Sequence, residues 1–317
     1  MSTIRAVVLS PEVEGRLAIK EVAEPAPLAN ETLVQVAAIS LNPGEVRTAM
    51  TTDTVPRPGW DLAGTVLQAA ADGSGPPLGA RVVGMVRSGA WAELVAVPTH
   101  QLTELPDAVT FAQASTLPIA GLTAMHALWK GGFLLESPIL VTGATGGTGD
   151  YALQLARLIG AKPVATVRRP EQVELALASG AEHVVVGGQD LSEARQYGPY
   201  ALVVESVGGT ILTEALTMLA EEGLVVSFGA SAGVSVTFDA MKFYRSGPVS
   251  LYGLFIFNEL KRVESAALGL KRLAGLMAQG KLTPRISVED SWENLPAVVK
   301  QLRERSYPGK AVLHIGD

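Results

Sequence analysis

Cysteine is absent from the 317 residues, which excludes disulfide bonds and thiolate ligands for a metal. Histidine is scarce as well, and the four histidines lie far apart in the chain, so we predict no zinc site. The sequence has no run of about 18 apolar residues, and no transmembrane helix is expected. A net charge of −6 without basic runs argues against a nucleic-acid ligand. The N-terminal segment lacks a signal-peptide pattern, so we expect a cytoplasmic protein.

The residues that are present indicate a folded protein of two domains. Apolar residues make up 48% of the chain, and its length is sufficient for two separate cores. Residues 1–118 contain short β-like runs that Pro and Gly interrupt, which predicts a mostly-β domain. Further on, six apolar runs alternate with helical segments: PILVTG, KPVATV, EHVVVG, YALVVESV, GLVVSFG and VSLYGLF. Such runs are typical of strands covered on both faces, and they predict a doubly wound parallel sheet in an α/β fold.

The C-terminal segment returns to a mixed pattern. The stretch NELKRVESAALGLKRLAGLMAQG has apolar residues at helical spacing and predicts one long helix. A shorter helix is predicted at LPAVVKQLRERS, and a final strand at KAVLHI.

A glycine-rich loop, GATGGTG, lies between the predicted strand PILVTG and the predicted helix DYALQLARLIG. This order places the free N–H groups of the helix start where a pyrophosphate binds. Gly146 and Gly147 let the backbone approach the phosphates, and Gly149 lets the helix pack closely on the strand. Ala144 replaces the first glycine of G-x-G-x-x-G, yet the strand–loop–helix–strand context predicts dinucleotide binding. A nucleoside triphosphate loop requires a lysine that this loop lacks.

Two arginines follow the second strand of this unit, KPVATV. An enzyme that uses NAD usually has an acidic residue here, which binds the ribose hydroxyls and repels a 2′-phosphate. Arg168 and Arg169 instead offer charge-assisted hydrogen bonds to that phosphate. We therefore predict NADPH as the cofactor, the alternative being two solvated arginines at a strand end.

The stretch Gly229–Gly233, GASAG, matches the G-x-S-x-G motif of serine hydrolases. In those enzymes the serine opens a helix, whereas the residues that follow here, VSVTFDA, predict a strand or a loop. We interpret the stretch as a glycine-rich turn that lines the cofactor site.

Six motifs occur in a familiar order: ISLNPGEVR (39–47), PGWDLAG (58–64), LPIAGLTA (117–124), VTGATGGTGDYALQLA (141–156), FGA (228–230) and GKAVLHI (309–315). Together they resemble the zinc-independent, zeta-crystallin-like quinone oxidoreductases of the medium-chain dehydrogenase/reductase superfamily. The resemblance implies a GroES-like catalytic domain over residues 1–118, completed by 260–317, and a Rossmann NADPH-binding domain over 119–259. It also implies a homodimer in which the strand VSLYGLF pairs with its copy.

The resemblance assigns roles to individual residues. It places Asn42 beside the nicotinamide and the substrate, and it places Trp60 and Asp61 where zinc-dependent relatives have His-Glu. The implied cofactor-binding residues, apart from the two arginines, are Asn42, Thr123, Ala144, Gly146, Gly147, Thr148, Gly229, Ala230 and Phe255. Several relatives have a tyrosine shortly after the LNP motif, and GEVRTAMTTDTVPRP contains none.

The predicted function is hydride transfer from NADPH to a quinone or to an activated alkene, such as an α,β-unsaturated carbonyl compound, without zinc. The predicted catalytic residues are Asn42, whose amide is one candidate hydrogen-bond donor to the developing oxyanion, and Asp61. Asp61 relays a proton in one interpretation and is a structural hydrogen-bond acceptor in the other. The rival function is a non-catalytic redox sensor that binds NADPH.

Overall fold

A computed structural model describes residues 2–13, 15–52, 57–187 and 190–316. The chain divides into two compact units. Unit 1 comprises Met1–Leu122 and Leu260–Asp317, and unit 2 comprises Thr123–Glu259.

The strands are, in chain order, β1 (Thr3–Leu9), β2 (Leu17–Ala23), β3 (Glu31–Ser40), β4 (Asp61–Gln68), β5 (Arg81–Met85), β6 (Leu94–Pro98), β7 (Leu102–Glu104), β8 (Pro138–Val141), β9 (Lys162–Val167), β10 (His183–Val186), β11 (Tyr200–Glu205), β12 (Leu219–Ser227), β13 (Ser250–Gly253), β14 (Ile286–Ser291) and β15 (Lys310–His314). The α-helices are α1 (Pro43–Thr51), α2 (Phe111–Ser115), α3 (Leu122–Lys130), α4 (Gly147–Leu158), α5 (Val173–Ala178), α6 (Gly209–Ala215), α7 (Ala240–Arg245), α8 (Ile256–Arg262), α9 (Ala266–Ala278) and α10 (Leu295–Glu304). Of the helices in the described ranges, none is long and apolar enough to cross a membrane.

Unit 1 is built on two sheets whose strands pair antiparallel, except that β14 and β15 pair in parallel. Strands β1 and β2 form a small sheet, and the larger sheet has the order β14-β15-β3-β4-β5-β7, with β6 also paired to β3. Strand β3 is central, and its apolar residues are buried on both faces against a core that includes Trp91 and Trp292. Ser40, at the end of β3, is opposite Asp61 on β4 and Val312 on β15. This register brings the start of β4 and the start of β15 to the end of β3.

Unit 2 contains one six-stranded sheet with the order β10-β9-β8-β11-β12-β13. Every neighbouring pair in it is parallel, and the strands are the six predicted from the apolar runs. The strand order reverses between β8 and β11, the switch point at which α/β sheets bind their ligands. The predicted fold class, a GroES-like domain with a Rossmann-like parallel-sheet domain, is confirmed.

The predicted long helix after residue 257 is wrong, because the structure has two helices there, α8 and α9. The break precedes Ser265, which has extended backbone angles and is the N-cap of α9. Serine is a common residue at helix N-caps, so the local sequence is compatible with a new helix that starts at Ala266. The GASAG stretch follows the end of β12 in a non-helical segment, as predicted, and Gly233 forms an isolated bridge with Gly208.

Candidate functional site

A buried cluster of polar side chains in unit 1 lies where β3, β4 and β15 meet. Asp61 is the first residue of β4, Lys310 is the first residue of β15, and Asn42 is the N-cap of α1. All three are almost completely buried, with exposed fractions of 0%, 4% and 4% respectively. Buried charges and amides are stable only when they are paired and hydrogen-bonded, and this cluster meets that requirement.

The side-chain amide of Asn42 is fully engaged. Its Nδ2 donates to Asp61 Oδ2 at 2.8 Å and to Glu45 Oε1 at 3.0 Å. Its Oδ1 accepts from the ammonium of Lys310 at 2.6 Å. Because both amide hydrogens are used, none is left for the oxygen of a substrate. In this arrangement the amide of Asn42 holds neighbouring side chains of the cluster, and its role as an oxyanion donor stays a prediction.

Asp61 accepts hydrogen bonds on both carboxylate oxygens. Oδ2 also accepts from the hydroxyl of Ser40 at 2.8 Å, and Oδ1 accepts from the N–H of Ile119 at 3.1 Å. The ammonium of Lys310 is 3.6 Å from Oδ2. Burial raises the pKa of Asp61, while the charge of Lys310 and the hydrogen bonds oppose that rise. Full burial and full engagement favour the structural interpretation of Asp61 over the proton relay.

Glu45 belongs to the same cluster, although it was not among the predicted site residues. Its Oε1 accepts from the backbone N–H of Asn42 at 2.7 Å, whereas Oε2 is buried without a hydrogen-bond partner in the described part of the chain. Burial, and then the charge of Asp61, raise the pKa of Glu45 well above its ordinary value. The sequence signal for this residue is the capping-box spacing Asn42-x-x-Glu45.

Replacing Glu45 by Gln should change how stability depends on pH. Because the folded-state pKa is raised, the folded protein retains a proton that the unfolded chain releases. In the wild type, this group therefore lowers stability as pH rises from about 4.5, the ordinary pKa, towards the raised value. Glutamine resembles the protonated carboxyl group and does not titrate. We expect the melting temperature of E45Q to exceed that of the wild type by a margin that grows as pH rises above about 4.5, measured by thermal unfolding. A constant margin would contradict the assignment.

The glycine loop in unit 2 has the geometry of a phosphate site. Helix α4 begins at Gly147, Gly146 is its extended and exposed N-cap, and Thr148 is half-buried. The N–H groups of a helix's first turn have no acceptor within the helix and point along its positive end. A Cβ on Gly149 would lie 2.4 Å from the carbonyl oxygen of Gly143, so the helix is in close contact with the glycine loop, and the predicted close packing on the strand stays a prediction.

The two arginines lie in the turn directly after β9, where both are exposed. The guanidinium of Arg169 is 3.6 Å from the carboxylate of Glu171. The backbone N–H groups of Arg168 and Arg169 both donate to Oε1 of Gln172, at 3.1 and 3.2 Å. The side chain of Gln172 therefore bridges two backbone N–H groups of the turn, and both arginine side chains are exposed.

A buried glutamate, Glu205, joins the carboxyl ends of the central strands of unit 2. Its Oε1 accepts from the N–H of Gly208 at 2.8 Å and from the hydroxyl of Thr142, after β8, at 3.3 Å. Its Oε2 accepts from the hydroxyl of Ser227, at the end of β12, at 3.1 Å. Burial raises the pKa of Glu205, and these hydrogen bonds oppose the rise. Sequence reasoning missed this residue, whose only signal is an acid at the end of the apolar run YALVVE.

Gly229 and Ala230 lie at the same edge of the sheet. A Cβ on Gly229 would be 2.4 Å from the carbonyl oxygen of Ser206, and one on Gly208 would be 3.0 Å from Cα of Ala230. The segments after β11 and β12 are thus in close backbone contact. Because Ser206 also donates its hydroxyl to the carbonyl of Thr142 at 3.1 Å, these segments are linked to the start of the glycine loop.

Two of the predicted cofactor residues lie apart from this network. Thr123 is buried near the start of α3, and Phe255 follows β13 with 52% of its surface exposed. The ring of Phe255 is 5.4 Å from that of Phe257. No described hydrogen bond joins either residue to the glycine loop, and their roles stay predictions.

Across the described ranges, no three histidine, aspartate or glutamate side chains come together as metal ligands would. His183 stacks on Tyr197 at 4.2 Å, and His314 contacts Glu289 at 2.7 Å.

Comparison with known proteins relates both units to one group of enzymes. Residues 28–107 match the alcohol dehydrogenase GroES-like domain, and residues 147–270 match the family described as zinc-binding dehydrogenase. The chain belongs to the medium-chain dehydrogenase/reductase superfamily. The resemblance inferred from the motifs is confirmed, since its relatives include proteins named quinone oxidoreductase.

Two curated relatives and one solved structure illustrate the similarity. Quinone oxidoreductase-like protein 2 of Bos taurus is 29% identical over 272 residues, 81% of this chain and 76% of that protein. Acryloyl-coenzyme A reductase of Sulfurisphaera tokodaii is 27% identical over 229 residues, 71% of this chain and 65% of that protein. The structure of a mycobacterial protein complexed with NADPH has a TM-score of 0.88 at 24% identity, covering 99% of this chain and 100% of that one.

Proposed function

We propose that this protein is an NADPH-dependent oxidoreductase that reduces a quinone or an activated alkene without zinc, and that residues 119–259 form its cofactor-binding domain. The observation that carries the proposal is the glycine loop at the start of α4 together with two exposed arginines after β9. The comparisons support the chemistry: one relative is named for quinones, one for acryloyl-CoA, and one structural neighbour was solved with NADPH.

The residues of unit 2 account for cofactor binding. The first-turn N–H groups of α4 hold the pyrophosphate, with Ala144, Gly146, Gly147 and Thr148 around it. Arg168 and Arg169 pair with the 2′-phosphate. When bound, NADPH supplies a hydride to an electrophilic carbon of the acceptor.

The residues of unit 1 account for the position of the segment at the start of α1. The cluster around Asn42 fixes the start of α1, the segment that family resemblance places beside the nicotinamide. Because the amide hydrogens of Asn42 are engaged, the developing oxyanion receives its hydrogen bonds from a backbone N–H or a cofactor hydroxyl, and its proton from water.

Zinc independence has two supports. The sequence contains no cysteine, and the carboxylate of Asp61 accepts three hydrogen bonds inside the protein. These bonds occupy most of the roughly four lone-pair sites that a carboxylate could offer to a metal.

We also propose a homodimer through β13. This strand is at the edge of the six-stranded sheet and carries Leu251, which is 43% exposed. An apolar edge strand is prone to pair with another strand, and a second copy of the chain offers a matching one.

The first test is a fluorescence titration of the protein with NADPH and with NADH, followed by 9,10-phenanthrenequinone, 2-cyclohexenone and acryloyl-CoA as acceptors. Tighter binding and oxidation of NADPH are expected, and the fastest acceptor identifies the substrate class. Binding without oxidation would favour the redox sensor, which the engaged amide of Asn42 also favours. If neither nucleotide binds, the proposal is wrong.

Replacing Arg168 and Arg169 together by alanine should weaken NADPH binding by about tenfold to a hundredfold. This factor is the contribution to affinity that is expected of charge-assisted hydrogen bonds to the 2′-phosphate. NADH lacks this phosphate, and its affinity should hardly change. The control replaces Lys242 and Arg245 by alanine, which removes two exposed cations from the same unit. Titrations of the three proteins with both nucleotides give the result, and an equal loss for NADPH and NADH would contradict the assignment.

A further inference from the structure

The turn that carries the two arginines is hydrogen-bonded to the glycine loop through the side chain of Gln172. Its Oε1 accepts the N–H groups of Arg168 and Arg169. Its Nε2 donates to the hydroxyl of Thr145 in the glycine loop at 3.0 Å. Thr145 is 6% exposed, so this contact is shielded from water on the loop side. One planar amide therefore connects two segments that are 23 residues apart along the chain, from Thr145 to Arg168.

This connection continues a contact made by the main chain. The N–H of Ala144 donates to the carbonyl of Thr166 on β9 at 3.2 Å, which holds the loop against the strand. Strand β9 ends at Val167, and the arginines lie beyond its hydrogen-bonding pattern. Gln172 extends the connection past the end of the strand. Its side-chain amide contacts the turn through Oε1 and the loop through Nε2, so the size of this one group sets the spacing between turn and loop.

The turn also contains an ion pair. The carboxylate of Glu171 is 3.6 Å from the guanidinium of Arg169, and both side chains are about half or more exposed. This pair is present together with the Gln172 connection, so an incoming phosphate competes with Glu171 for Arg169. A turn held in place presents its cations at a fixed distance from the loop, and binding then orders fewer side chains.

We propose that Gln172 is a positioning residue that favours NADPH over NADH. It holds Arg168 and Arg169, through Thr145, at the distance from the pyrophosphate loop that the 2′-phosphate requires. The proposal rests on the proposed function only in that NADPH is the ligand. The connection itself has consequences in the protein without any nucleotide.

The test uses Gln172→Leu, Thr145→Val and the double variant, each titrated with NADPH, NADH and 2′,5′-ADP. Each single variant should weaken the binding of NADPH and of 2′,5′-ADP by about fivefold to tenfold, which corresponds to the loss of one hydrogen bond. The binding of NADH should weaken by less than about twofold. The double variant should bind no more weakly than Gln172→Leu, because both changes break the same connection. Gln196→Leu is the control, since Gln196 is exposed elsewhere in unit 2 and its side-chain amide donates to the carbonyl of Glu193.

A second readout does not depend on the cofactor. Amide hydrogen exchange at residues 168 and 169 should be at least about fivefold faster in Gln172→Leu than in the wild type, at an unchanged melting temperature. Unchanged exchange would overturn the connection, whether or not NADPH binds. An equal loss of NADPH and NADH affinity would overturn the role in selection. If Thr145→Val binds NADPH normally while Gln172→Leu does not, Gln172 contacts the phosphate directly and the positioning role is wrong. Failure of the wild type to bind NADPH, with exchange as expected, would reject the proposed function alone.

Discussion

Replacing Lys310 by methionine should lower the free energy of unfolding by about 3–5 kcal/mol, the usual cost of leaving a buried charge without its partner. The ammonium of Lys310 lies between Asn42 Oδ1 at 2.6 Å, the carbonyl of Leu41 at 2.9 Å and Asp61 Oδ2 at 3.6 Å. Methionine fills a similar volume but offers no hydrogen to these oxygens. Asp61, which is fully buried, then lacks the positive charge that opposes the burial-driven rise of its pKa.

Urea-induced unfolding at pH 7 measures this loss. Lys300→Met is the matched control, because Lys300 is exposed on α10 in the same unit, and its change should stay within about 0.5 kcal/mol. Adding Asp61→Asn to Lys310→Met removes the unpaired carboxylate and should restore part of the stability. If Lys310→Met lowers the free energy of unfolding no more than the control does, the buried cluster does not stabilise the fold as its geometry implies. If Lys310→Met fails to fold, refolding of the double variant still tests the pairing.

The predicted parallel sheet and the glycine loop were accessible from sequence because their signals are local. Each strand of unit 2 contains a short apolar run, and the loop is a short stretch between a strand and a helix. The polar strands were harder to find. Strand β2, LAIKEVA, and strand β14, ISVEDS, carry charged residues on their exposed positions and lack the strong apolar pattern. Neither was predicted.

The buried cluster was missed for a different reason. Asn42 and Lys310 are 268 residues apart, and their contact depends on the pairing of β3 with β15. From sequence alone, Lys310 is one charged residue before an apolar run, a position that is most often exposed. The role expected for Asn42 came from family resemblance, which identifies a position but not the hydrogen bonds of its amide. Burial of three ionisable side chains around it became visible only with the strand register.

Replacing Gly149 by alanine should abolish binding of NADPH and NADH together, with losses of about a hundredfold or more. A Cβ at this position would lie 2.4 Å from the carbonyl oxygen of Gly143 and 2.7 Å from Cα of Ala144, both main-chain atoms that cannot rotate away. The loop must move, and the N–H groups that hold the pyrophosphate move with it. Since each charged hydrogen bond is worth about 1.5–3 kcal/mol, loss of one or two accounts for the effect. The added strain should also cost about 1–3 kcal/mol of stability.

Gly275→Ala is the control that separates this effect from a general property of helix glycines. Gly275 lies inside α9, and a Cβ there would meet no atom within 4 Å. Alanine is the better helix former, so this variant should be more stable by about 0.5–1 kcal/mol and should bind both nucleotides normally. In urea unfolding, the same change from glycine to alanine should therefore lower stability at position 149 and raise it at position 275. In nucleotide titration, only Gly149→Ala should lose affinity. Normal binding of both nucleotides by Gly149→Ala would show that the glycine loop does not hold the pyrophosphate, whereas a selective loss of NADPH would place Gly149 at the 2′-phosphate instead.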